Sequence, residues 1–214
     1  MSKTPRQVAV RVLLCLLLFS GAAFADTVHM KFLGHGGTKN DPYYPWYFQV
    51  NGVNTTLICD TFYNSNVKGE TWEANVTNIL SGQGLFGNKL LDYKAAAWIY
   101  SQILFHGAND HDAQWALWAL FSPGVMHLKG WDSGALAIYN AALAIAPKLP
   151  TSFFAPYFLY TPIKGTQSGH NGLPQEFIGY NPSVPEPGTL VLWGTGILAL
   201  AGALRKKYSR PSSL

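Results

Sequence analysis

The chain has 214 residues, with 15 Lys and Arg against 11 Asp and Glu, a formal net charge of +4; 48% of its residues are hydrophobic and only 12% are charged. A basic balance ordinarily points to nucleic acid or an anionic surface, but here seven of the cations sit at the two ends: Lys3, Arg6 and Arg11, then Arg205, Lys206, Lys207 and Arg210. Between them, eight Lys and Arg face all eleven acidic residues, an excess of three negative charges, which removes the electrostatic case for a nucleic-acid partner.

Residues 1–25 read as a secretory signal peptide. The basic start is followed by the apolar run Val12–Phe19 and by Ala23-Phe24-Ala25, with Ala23 and Ala25 as the small residues a signal peptidase requires. The run is too short for a comfortable bilayer span, which argues against an N-terminal anchor. Cleavage starts the mature protein near Asp26. It also removes Cys15, leaving Cys59 as the one cysteine of the exported chain.

Residues 26–180 are the size of a single domain able to bury a core. Strand signals come first: Val28–Leu33, then a Gly-, Asn- and Pro-rich loop over 34–45, then a hairpin of Trp46–Val50 and Thr55–Cys59 around Asn51-Gly52. A further strand is expected at Glu70–Val76. The period then becomes helical. Leu90, Leu91, Ala95, Trp98, Ile99 and Ile103 share one spacing, and Ala113, Ala116, Leu117 and Leu120 another, with Asp110 or Asp112 as the expected cap of the second helix. A third helix is expected over Ser133–Ala146. All three are apolar nearly all round, which predicts burial. Strands return at Ser152–Tyr160 and Gln175–Tyr180. The order predicts an α+β fold: a β-rich subdomain formed by N- and C-terminal strands, with an inserted section of about three helices.

Residues 181–187 form a linker ending in the box Val184-Pro185-Glu186-Pro187. Residues 188–214 hold an apolar stretch, Leu190–Leu204, and the basic stop Arg205-Lys206-Lys207. In order, spacing and position this segment resembles the PEP-CTERM sorting signal of Gram-negative bacteria. The resemblance implies export, passage through the inner membrane, recognition and cleavage by an exosortase-type enzyme, and delivery to the cell surface or extracellular matrix.

Within the domain, a solitary cysteine cannot form an internal disulfide, and an exposed free thiol is a liability in an oxidising compartment. Cys59 is therefore a buried small hydrophobe, half of an intermolecular disulfide, a catalytic nucleophile, or one end of an internal thioester with a glutamine. The last requires a Cys and a Gln from different elements in a pocket that excludes water. Gln114 is such a glutamine, with Trp118 and Phe121 following it on its own helix face. Its bland reading is a buried amide satisfied by backbone groups. The run Ala113-Gln114-Trp115-Ala116-Leu117-Trp118 resembles the Thr-Gln-x-Ala-Ile-Trp motif of the thioester (TQXA) domains of bacterial surface adhesins, with Ala113 in place of threonine. Ile58-Cys59-Asp60 is similar to the strand end that carries their cysteine. The resemblance implies a Cys59–Gln114 thioester, with Asp60, Ala116, Leu117 and Trp118 as supporting residues.

A cysteine hydrolase would need a histidine base, for which His106 and His111 are the candidates, but no glycine-framed nucleophile turn surrounds Cys59. His106, Asp110, His111 and Asp112 match no standard metal spacing and read as a solvated loop with a cap, so no metal or cofactor is expected. In the cluster Tyr43–Phe48, Tyr44 and Trp46 are candidate sugar-binding aromatics, although strand aromatics more often belong to a core. The sequence thus predicts a non-enzymatic, exported and sorted biofilm protein that attaches covalently to a surface or matrix polymer or protein. The alternative is a non-covalent exopolysaccharide-binding or structural component with an inert cysteine.

Overall fold

Alternating apolar and polar residues drive the first part of the chain into four consecutive strands: β1 (Asp26–Thr38), β2 (Asp41–Val50), β3 (Val53–Cys59) and β4 (Thr71–Asn78). Three helices follow, α1 (Leu90–His106), α2 (Asp110–Phe121) and α3 (Ser133–Ile145), then a single helical turn, α4 (Thr151–Phe154), and the strands β5 (Tyr157–Pro162) and β6 (Phe177–Tyr180). This computed structural model describes residues 26–169 and 172–181. The cleavage site at Ala23 and Ala25, the box Val184–Pro187 and the basic stop Arg205–Lys207 lie outside the described residues.

The expected α+β order is present, and the strands close into an antiparallel barrel in the order β1-β2-β3-β6-β5-β4. The C-terminal pair is what closes it, because β6 adds to β3 while β5 adds to β4. Helices inserted between the fourth and fifth strands therefore sit against a barrel, with no open sheet edge left between β3 and β4.

Period two divides the strand residues between two cores. Met30, Phe32, Trp46, Phe48, Leu57, Cys59, Trp72, Ala74 and Phe177 point inward and pack with Trp115, Trp118 and Ala119 of α2. Ile58, Tyr157, Leu159 and Ile178 point outward and pack under α1 and the other face of α2. Helix α2 thus belongs to both cores, and every residue from Ala113 to Phe121 is buried.

Three expectations are corrected. The Gly-rich stretch 34–45 is mostly strand: β1 continues to Thr38 through register shifts at Phe32/Gly34 and His35/Gly36, bulges that let it bend. Gly36 is needed there, since a Cβ would stand 2.8 Å from the Tyr44 carbonyl oxygen. The expected strand over Ser152–Tyr160 begins as the turn α4 and becomes extended only at Tyr157. Helix α3 is not wrapped by the core. Only Ala135 and Ala142 are fully buried, with Ile138 and Tyr139 partly buried against the cores, while Leu136, Leu143 and Ile145 are exposed. The hairpin at Asn51-Gly52 forms as expected, both residues taking positive φ (48° and 81°).

Candidate functional site

β3 ends at Cys59, which pairs with Phe177 of β6 and faces the barrel interior. At the same end of the barrel, α2 is fixed by its N-cap. The cap is Asn109, neither of the aspartates expected, and its side chain accepts the Asp112 N–H at 3.1 Å. One turn into the helix, the Gln114 side chain meets the end of β3.

Cys59 and Gln114 are both completely buried. The Gln114 Nε2 donates to the Cys59 carbonyl at 2.6 Å, and its Oε1 accepts the Trp46 indole N–H at 2.9 Å. The carboxamide is therefore held at both ends, one of them by the cysteine's own backbone. The Cys59 Sγ donates to the Thr61 carbonyl at 3.3 Å. Burial above all, and then the neighbouring Asp60 carboxylate, push the Cys59 thiol well up; the side chain of Trp118 acts in the opposite direction, favouring the thiolate. The resting sulfur is a protonated thiol. Neither hydrogen bond of His111 goes to it: that ring is held by Asp41 (3.1 Å) and Asp112 (3.3 Å).

The supporting residues divide by face. Trp118, one turn beyond Gln114, enters the barrel core beside Cys59, whereas Ala116 and Leu117 enter the outer core. Phe121, expected to follow Gln114 on the same face, also packs in the outer core. Asp60 directly follows Cys59 and is fully buried. Its Oδ1 accepts the Thr61 hydroxyl at 3.0 Å and it stands beside Glu176, another fully buried carboxylate. Glu176 accepts from the Tyr93 hydroxyl (2.7 Å), the Leu85 N–H (2.7 Å) and the Thr161 hydroxyl. Burial first, and then the Glu176 charge, raise the Asp60 pKa well above its ordinary value.

Trp46 and Glu176 are the residues that sequence reasoning missed at this site. Trp46 was a candidate sugar-binding aromatic, yet it is only 3% exposed, and a stacking platform needs a ring face open to solvent. Its period-two register with Phe48 was the available signal for an inward position. Tyr44 is half-buried, edge-on to Tyr100.

Beside the site, a solvent-open cleft of about 530 Å³ is lined by residues including Asp41, Phe62, His111, Trp115 and Asp132. Phe62 packs edge-on against Trp118 at 5.0 Å, so one aromatic layer stands between the cleft and the ring bordering Cys59. His111, Asp112 and Asp132 bring ligand-type atoms within 4.8 Å of one another at the cleft. Asp132 caps α3 through the Ala135 N–H at 2.9 Å, and His111 bridges Asp41 and Asp112, which ties α2 to β2.

Residues 183–207 match the PEP-CTERM protein-sorting motif. No curated protein and no solved structure matches the chain. The motif marks the chain as exported, processed at the membrane by an exosortase-type sorting enzyme and destined for the cell surface. Among the described residues no helix is long and apolar enough to cross a membrane; the stretch Leu190–Leu204 lies outside them.

Proposed function

We propose that the exported domain is a non-enzymatic attachment module of the surface or biofilm matrix, carrying an internal thioester between Cys59 and Gln114. The observation that supports this is the fully buried contact of the two residues: a carboxamide with no exposed surface, held at 2.6 Å on the carbonyl of a cysteine with no exposed surface. Attack of Sγ on the Gln114 Cδ forms the S–C bond and breaks the C–N bond. The thiol proton leaves with the nitrogen as ammonia. A target amine then forms an amide at the same carbon and returns the thiol to Cys59. The cleft at Phe62 and Trp115 is the approach such a target would use, with movement of the Phe62 layer admitting it.

Complete burial of Cys59 also favours a second reading, a structural or exopolysaccharide-binding matrix protein whose cysteine only fills the core. Methylamine separates the two. In the thioester protein it converts Gln114 to its N-methyl amide and frees one thiol, both visible by peptide mass spectrometry, and Cys59→Ala abolishes the product. Unmodified Gln114 in the freshly exported protein favours the inert reading.

A further inference from the structure

The Gln114 carboxamide oxygen is served by one buried indole N–H. Trp46 comes from β2, is 3% exposed, and gives its N–H to Gln114 Oε1 at 2.9 Å.

Acyl transfer at Gln114 develops negative charge on two atoms: Oε1, as the carbonyl carbon becomes tetrahedral, and Sγ, as attacking or departing thiolate. Resting on the thioester reading, we propose that Trp46 is the oxyanion donor for this chemistry. In the forward step Sγ bonds to Cδ, the carbonyl electron pair moves onto Oε1 under the Trp46 N–H, and collapse expels the nitrogen, which takes the thiol proton and leaves as ammonia. In the reverse sense a target amine adds to Cδ, the same oxygen carries the charge, and Sγ departs before taking the amine's proton. The Nε2 contact with the Cys59 carbonyl fixes the rotation of the carboxamide, so that Oε1 points to Trp46 in advance. A preorganised donor in a dry site needs no reorganisation as charge appears, and removing one typically costs about 10²–10³ in rate.

The test uses the exported full chain with Trp46 replaced by 3-benzothienylalanine, which keeps the ring shape and lacks the N–H, alongside Trp46→Phe and the packing control Phe48→Leu. The readouts are the rate of methylamine incorporation at Gln114 and the melting temperature. The benzothienyl protein should react roughly 10²-fold more slowly at a near-native melting temperature. Phe48→Leu should lower the melting temperature and leave the rate within a few-fold. A wild-type rate in the benzothienyl protein, or a loss in Trp46→Phe that merely follows the melting temperature as in Phe48→Leu, overturns the assignment while the thioester stands. A wild-type protein that never takes up methylamine overturns the thioester and this inference together.

Discussion

Replacing Asp60 with Asn should flatten the pH dependence of stability. Asp60 is fully buried, its Oδ1 has one donor, the Thr61 hydroxyl, and its Oδ2 has no hydrogen-bond partner. Glu176 beside it takes three donors. Burial and the Glu176 charge raise the Asp60 pKa in the folded protein above its value in the unfolded chain. The folded state therefore binds the extra proton. Its advantage is complete below the unfolded value of about 3.9, and it is lost as pH rises towards the folded pKa at about 1.4 kcal/mol per pH unit for one proton. Asn keeps the shape and neutrality of the protonated carboxyl and offers Glu176 an N–H. Urea unfolding midpoints, followed from about pH 4 to pH 8, measure the difference directly. The wild type should lose stability with rising pH relative to Asp60→Asn, and the variant should be the more stable of the two at neutral pH. Parallel profiles for the two proteins would refute a raised Asp60 pKa in the folded state.

Gln114→Ala strips the partner from the Trp46 N–H and the Cys59 carbonyl, both buried, and should cost roughly 2–5 kcal/mol in denaturant unfolding; a loss below about 1 kcal/mol would show that water or a rearrangement replaces both bonds. Gly130→Ala places a Cβ 1.9 Å from the Trp115 ring, so it should destabilise by about 1–3 kcal/mol and disturb Trp115 fluorescence at the cleft. A native-like spectrum and midpoint would contradict that contact.

The fold was legible where one period persisted. The Asn-Gly hairpin, the three helices and the return to strands all follow from local pattern, because each is set by residues close in sequence. Barrel closure was not legible, since it depends on β6 adding to β3 across more than a hundred residues, and no local spacing encodes that pairing. α3 misled because alanine and leucine suggest burial by composition, while only one face, with Ala135, Ile138, Tyr139 and Ala142, finds the core and Leu136, Leu143 and Ile145 stay exposed. At the site, Cys59 and Gln114 could be singled out by chemistry, but their supports could not. Trp46 sat in a run of aromatics that admitted a surface patch beside the commoner core reading, and its hydrogen bond to Gln114 depends on a contact far along the chain. Glu176 lay far along the chain from Asp60, and only the β3–β6 register brings the two carboxylates together.

The most direct measurement is the intact mass of the exported protein, taken under conditions that exclude hydrolysis. A thioester lowers the mass by one ammonia relative to the sequence and leaves Cys59 unreactive to thiol reagents after unfolding, until an amine opens the bond. Cys59→Ala should show its full calculated mass. A wild-type protein at full mass, with a free thiol that appears on unfolding, would contradict the covalent account and leave Cys59 as a filler of the barrel core.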